Sequence, residues 1–254
     1  MKAYLPTALA CLTFSHCSAA SPANIEVVFQ ATELPAEQQV INEIKRARLN
    51  ETVMQLSAER FPFQRKLTLS YGGEAGPLFD PDSYTIHIPY SFYQQSLHYF
   101  ESNKYQQRFG KSARQGALET LLHTLLHEAG HAYVVDQNIP ILGKEEDAVD
   151  NFATMLLIEY VEDGAGMAIS AADMFAFESE DRPEYYDFGE YIDEHSFDLQ
   201  RYFSTLCLVY GSDPKQHHSL LDELEPDYLR DRKEFCADNY DTIHANWHHY
   251  LLSE

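Results

Sequence analysis

His127-Glu128-Ala129-Gly130-His131 has the pattern H-E-x-x-H and lies within residues 113–135, where apolar residues repeat at helical spacing. Residues four apart on an α-helix differ by about 40° in direction and about 6 Å in height. Both imidazoles therefore project from one face and can reach one metal ion. The next residue, Glu128, flanks that position without ligating, which is where a general base takes a proton from water.

A second predicted helix, residues 145–161, offers a third ligand. Two histidines leave zinc one short of the three protein ligands that catalytic sites use. The helix begins Glu145-Glu146-Asp147-Ala148-Val149-Asp150, in which Glu146 and Asp150 are four residues apart and share a face. One of these two carboxylates can ligate zinc while the other accepts the outer N–H of a ligating histidine. On the same grounds Glu145 and Asp147 remain alternative ligands.

The segments around these helices predict an α+β fold. Residues 25–29, 66–71 and 83–88 alternate like strands, and residues 35–60 have helical spacing. Turn-forming Gly, Pro and Asp residues separate the last two strands, so a long-looped antiparallel pair is expected, with 83–88 as a candidate edge for binding an extended peptide. The C-terminal half is mainly helical. No repeat or flexible linker divides residues 21–254, so a single domain is expected.

The first twenty residues have the order of a secretory signal peptide. Met1-Lys2 precedes an uncharged segment and small residues that end at Ala20. Cleavage there predicts an exported protein, periplasmic or extracellular. No later stretch reaches the roughly 18 apolar residues of a membrane span, so no integral membrane segment is expected in the mature chain. The two remaining cysteines, Cys207 and Cys236, are expected to form a disulfide in an oxidising compartment.

Composition narrows the class of partner. The 254 residues include 18 Lys and Arg against 40 Asp and Glu, a formal net charge of −22. A surface this negative repels a phosphate backbone, which argues against nucleic acid as a partner. The apolar fraction of 44% and charged fraction of 23% are those of an ordinary globular protein.

The HEAGH sequence, followed by GKEEDAVDNFA at residues 143–153, resembles a bacterial family of "putative metallopeptidases" first catalogued as a domain of unknown function and similar to the gluzincin zinc peptidases. Residues 193–195, 200–201 and 207–211 look like the same family, so the resemblance covers most of the mature chain. It implies a zincin-like α+β fold with a small antiparallel or mixed sheet. It also implies that Glu146 of the E-x-x-x-D pattern is the third ligand and that Asp150 orients a ligating histidine.

These observations predict a peptidase with one Zn²⁺ per chain and a peptide or protein substrate. Glu128 would act as general base, and His195, close to Asp193, or Arg201 is a candidate for stabilising the oxyanion. One alternative is a non-catalytic exported module that contains zinc or uses its acidic surface for binding. Another is hydrolysis of a non-peptide amide or ester. Intact Glu128 argues against the binding module, since a structural zinc site has no use for a free carboxylate there.

Overall fold

A computed structural model provides the structure, which describes residues 24–181 and 186–253. The predicted signal peptide, residues 1–20, lies outside these ranges. The strands are β1 (Ile25–Phe29), β2 (Leu67–Tyr71), β3 (Leu78–Asp80) and β4 (Thr85–Ile88). The α-helices are α1 (Pro35–Ala47), α2 (Leu49–Glu59), α3 (Tyr90–Ser102), α4 (Tyr105–Phe109), α5 (Ala113–Gln137), α6 (Glu145–Tyr160), α7 (Gly164–Glu180), α8 (Asp198–Ser212) and α9 (Pro226–His248). A short 3-10 helix spans Phe188–Ile192. The predicted α+β class with a helical C-terminal half is confirmed.

The four strands form one mixed sheet in the order β1-β2-β4-β3. β1, β2 and β4 run parallel, and β3 runs antiparallel to β4. The predicted antiparallel pairing of residues 66–71 with 83–88 is therefore wrong. The connection between these strands contains a strand of its own, β3. A short turn after Asp80 joins β3 to β4, which pair antiparallel. β4 therefore runs in the same direction as β2.

The two edge strands of this sheet are β1 and β3, because β4 lies between β2 and β3. The expectation that residues 83–88 form an exposed edge is thus also wrong. One side of β3 pairs with β4 in the register Leu78 with His87 and Asp80 with Thr85. Among the described residues, no strand pairs with the other side of β3.

The predicted helix over residues 35–60 is divided in two. Arg48 adopts a left-handed conformation, with φ of 57°, between α1 and α2. Such a residue breaks the helical hydrogen-bond ladder and turns the chain. The helices predicted over 113–135 and 145–161 are confirmed as α5 and α6. The Ser112 side chain caps α5 by accepting a hydrogen bond from the backbone N–H of Gln115.

The sheet and α5 are joined by polar as well as apolar contacts. The Tyr84 hydroxyl contacts the backbone carbonyl of Ala132 at 3.1 Å and the Asp136 carboxylate at 3.0 Å. The same carboxylate accepts the backbone N–H groups of Gln64 and Arg65. These bonds fix the end of α5 that follows HEAGH relative to β4 and to the segment before β2.

The C-terminal helices pack around a smaller apolar cluster as well as the main core. Cys207 of α8 and Cys236 of α9 belong to it, and their Cα atoms lie 5.0 Å apart with the sulfurs at bonding distance. Among the described residues, no helix is both long and apolar enough to cross a membrane.

Candidate metal centre

His127 and His131 project side by side from α5. Their ring centroids are 5.0 Å apart, and His127 is buried with 4% of its surface exposed. The i,i+4 spacing places both Nε2 atoms on the side of α5 that faces the start of α6. Helix geometry thus brings the two imidazoles together as their sequence spacing predicts.

Glu146 faces both histidines from the first turn of α6. Its Oε2 atom lies 3.1 Å from His127 Nε2, and its Oε1 atom lies 3.3 Å from His131 Nε2. A third imidazole, that of His195, places its Nε2 atom 3.0 Å from Glu146 Oε2. Ligands bound tetrahedrally to zinc at 2.0–2.1 Å are separated by about 3.3 Å. The nitrogen and oxygen separations present here are close to that value, so these residues fit a metal ion.

The outer nitrogens of both α5 histidines are held by carboxylates. His127 Nδ1–H donates to Asp150 Oδ1 at 2.7 Å, and His131 Nδ1–H donates to Glu145 Oε1 at 2.8 Å. Because a carboxylate only accepts, each bond places a proton on Nδ1, so that Nε2 is the nitrogen of the neutral ring that is free to bind a metal ion. This is the tautomer that a metal-ligating histidine requires.

Arg201 lies behind Asp150. Its Nε–H and one terminal N–H donate to the two oxygens of Asp150 at 2.7 and 2.8 Å, and its guanidinium also lies 4.0 Å from the ring centroid of Phe175. Burial alone would raise the pKa of Asp150, but the Arg201 charge and the bonds from Arg201 and His127 hold that pKa well below its usual range. Asp150 is therefore a fixed anion behind His127.

The charge of the centre favours a cation. Burial would raise the pKa of Glu146, but its bonds to the three imidazoles lower that pKa far below its ordinary value. Burial lowers the pKa of His127, yet the neighbouring Asp150 charge and hydrogen bonds raise it overall, to about 9. The same carboxylates that hold a proton on His127 would hold a metal cation in its place.

Glu128 occupies the wall of the same centre. Its side chain is buried, and burial raises its pKa despite the opposing effects of His127 and His131. Within the described part of the chain, no side chain donates a hydrogen bond to its carboxylate. Glu128 is thus a buried carboxylate beside the histidines that lines the cavity described next.

A cavity of about 610 Å³ opens above these residues. One wall is the segment that enters β3 together with β3 itself, and the opposite wall is the start of α6. The lining residues are Pro77, Leu78, Phe79, Pro81, His127, Glu128, His131, Val135, Lys144, Glu145, Glu146, Glu194 and His195. The unpaired sheet edge therefore runs along the cavity that contains the imidazoles.

His195 reaches the cavity on a segment that is fastened to α6. The Lys144 ammonium donates to the backbone carbonyls of Asp193 and His195 at 3.0 and 2.8 Å. The Asp193 carboxylate accepts the backbone N–H of His195 at 2.9 Å. Arg201, the other candidate for the oxyanion, lines a neighbouring cavity instead.

The roles of two residues in this centre, Glu145 and Lys144, were not predicted from the sequence. Glu145, considered there only as an alternative ligand, contacts the outer nitrogen of His131, and Asp147 lines a separate cavity against α9. Adjacent residues on a helix differ by about 100° in direction, which would have separated the faces of Glu145 and Glu146. No sequence signal indicates Lys144, because its partners are backbone carbonyls far along the chain.

A family model described as "Putative metallopeptidase" matches residues 29–251. The chain belongs to this family. The resemblance noted in the sequence is thereby confirmed, and membership in a metallopeptidase family implies a metal ion and supports a peptidase. Among the described residues, ligand atoms of His127, Glu146 and His195 lie within 4.8 Å of one another and could hold a metal ion, whereas His131 contacts this group through Glu146. No curated protein and no solved structure matches the chain.

Proposed function

We propose that the protein is an exported zinc metallopeptidase with a zincin-like arrangement, in which His127, His131 and Glu146 hold the metal. The observation that carries the proposal is the approach of His127 Nε2 and His131 Nε2 to one carboxylate, at 3.1 and 3.3 Å, beside the unpaired carboxylate of Glu128. Zinc bound by this set supplies Lewis acidity, which polarises a carbonyl and lowers the pKa of water.

Glu128 acts as general base and then general acid. It takes a proton from the attacking water and passes it to the amine that leaves. Burial raises its pKa, which makes it a stronger base than an exposed glutamate. Asp150 and Glu145 hold His127 and His131 in the required tautomer, and Arg201 acts through Asp150.

His195 stabilises the oxyanion that develops on the substrate carbonyl. It is half-exposed at the cavity, with a ring nitrogen directed toward Glu146. An extended peptide bound along the free edge of β3 would pass between this imidazole and Glu128. The substrate class is therefore a peptide or protein in extended conformation.

A second candidate function rests on the same imidazole. Four protein ligands close a zinc site, and such sites are structural. If His195 joins the other three residues as a ligand, the protein is a non-catalytic zinc-containing module. The free carboxylate of Glu128 in an open cavity favours the peptidase.

One feature supports export, and another supports the organisation of the chain as a single domain. The signal-peptide pattern precedes a chain whose two remaining cysteines are within disulfide reach, as suits an oxidising compartment. The main apolar core includes Ile25 near the start and Leu251 near the end. We therefore propose one domain over residues 21–254.

The substitution Glu128→Gln tests catalysis. It preserves shape but removes the base, so hydrolysis of a fluorescence-quenched casein substrate should fall by at least about 10²-fold, while zinc content by elemental mass spectrometry stays at the parent value. Glu234→Gln on the exposed face of α9 is the matched control and should keep full activity. Equal hydrolysis by Glu128→Gln and the parent would contradict the proposal.

A further inference from the structure

We propose that Glu159, His244 and His248 form a second divalent-cation site, at the C-terminal ends of α6 and α9. His248 Nε2 lies 3.1 Å from Glu159 Oε2, and His244 Nε2 lies 3.6 Å from Glu159 Oε1. Ligand atoms of all three residues lie within 4.8 Å of one another. These separations bracket the roughly 3.3 Å expected between zinc ligands. The site is independent of the peptidase reaction.

The two histidines are arranged to share one ion. They are four residues apart on α9, so they occupy one face, and their rings stack with centroids 3.9 Å apart. Glu159 approaches from α6. The protein thus repeats, at the other end of α6, the combination of an i,i+4 histidine pair with a carboxylate from a second helix.

The tautomer of His248 provides the strongest argument. Its Nδ1–H donates to the backbone carbonyl of His244 at 2.8 Å, which leaves the Nε2 lone pair of a neutral ring facing Glu159. A lone pair and a carboxylate oxygen at 3.1 Å repel each other unless a proton or a cation lies between them. In this tautomer the Tyr160 hydroxyl donates to the same nitrogen at 2.8 Å, and a bound metal ion would take the place of that hydrogen bond.

A metal cation satisfies this arrangement better than protons do. A proton in the gap between His248 and Glu159 makes the His248 ring cationic, because its Nδ1 already carries a proton, and it uses only one of the two imidazoles that face this carboxylate. A single cation serves two neutral rings and one carboxylate. Two imidazoles and a carboxylate suit zinc and similar first-row metals, whereas calcium and magnesium prefer oxygen ligands alone.

The carboxylate is held in place before any ion binds. The Tyr240 hydroxyl donates to Glu159 Oε1 at 2.9 Å, and the Glu159 side chain is only 14% exposed. The His244 side chain is 44% exposed, which gives the ion a route from solvent. At 1.5 Å per residue along α6, Glu159 lies about 20 Å from Glu146, so this ion would have a structural role, joining α9 to α6.

Zinc stoichiometry tests the site. After equilibration with zinc chloride and gel filtration, elemental mass spectrometry should find two zinc ions per chain in the parent and one in His244→Gln. His249→Gln is the matched control, because His249 is an exposed neighbour outside the cluster, and it should retain two. Equal zinc content in His244→Gln and the parent would overturn the proposal.

A second pair of variants separates this site from the peptidase centre. Glu146→Gln should retain one zinc ion, and zinc addition should raise its melting temperature. The double variant Glu146→Gln/His244→Gln should bind no zinc, and zinc addition should leave its melting temperature unchanged. If His244→Gln removes all bound zinc and Glu146→Gln removes none, the proposed peptidase function is wrong and the second site is supported. If His244→Gln fails to fold by circular dichroism, Glu159→Gln, which keeps the Tyr240 bond, replaces it with the same expected loss of one zinc. Zinc content that is unchanged in Glu159→Gln would count against the site.

Discussion

His195 reaches the metal centre from outside the α5–α6 pair, on a segment held by Lys144. Its position is compatible with two chemical roles, a donor to the oxyanion or a fourth ligand. As a donor, its removal weakens the transition state alone, so His195→Ala should lower kcat by about 10²–10³-fold with little change in zinc affinity. Hydrolysis kinetics and competition with a zinc-binding dye measure the two quantities separately.

A conservative variant at the same residue sharpens this test. His195→Gln keeps an N–H donor and should recover part of the lost kcat, whereas the exposed His218→Ala, as control, should match the parent in both assays. A fall in zinc affinity that parallels the fall in kcat would identify His195 as a ligand and favour the closed, non-catalytic site.

Gly130 sets the distance between the helices α5 and α6. A Cβ atom placed there would lie 3.0 Å from Val149 Cβ and 3.0 Å from a ring carbon of Phe152, both on α6. Neither atom can move away from the added Cβ unless α6, the helix that carries Glu146, also moves. Gly130→Ala should gain about 1 kcal/mol of helix propensity but lose about 1–3 kcal/mol to overpacking. A net loss in the free energy of unfolding is therefore expected, with zinc affinity lowered about tenfold, as for other disturbed ligand supports.

Urea unfolding and zinc competition check this prediction. The matched control is Gly166→Ala in α7, where the added Cβ meets mainly the movable carboxylate end of Asp163. That variant should be as stable as the parent or more so. If Gly130→Ala behaves like Gly166→Ala, then the glycine is not what sets the helix spacing.

At this scale the sequence predicts helices better than it predicts the sheet. The 3.6-residue periodicity of α5 and α6 depends only on local sequence. It is sufficient to predict that His127, His131 and Glu146 lie close together. The pairing of β2 with β4 depends on where β3 inserts, and a three-residue strand carries too little pattern to be recognised. The position of His195 depends on tertiary contacts through Lys144, which no spacing rule contains.

At the scale of the whole molecule, two buried carboxylates, Asp150 and Asp173, give the free energy of unfolding opposite dependences on pH. Asp150, whose pKa is depressed, contributes stability that is present above the unfolded pKa and lost as pH falls through its folded pKa. Burial of Asp173 raises its pKa to about 6, and the hydrogen bond from Tyr105 does not compensate. Its contribution has the reverse sign: it is fully present below the unfolded pKa of about 4 and is lost as pH rises through about 6.

Asp173→Asn isolates this contribution. The amide keeps an acceptor for the Tyr105 hydroxyl, which lies 2.7 Å from Asp173 Oδ2, but cannot ionise. Shifts of other groups cancel in the difference between variant and parent. The stability of Asp173→Asn relative to the parent should therefore rise between pH 4 and pH 7.5, by on the order of 3 kcal/mol or several degrees in Tm. Differential scanning calorimetry across that range, with the exposed Asp238→Asn as control, measures it. A difference that is constant with pH would mean that Asp173 is already ionised at pH 4, and that Lys111 and Arg108 offset its burial.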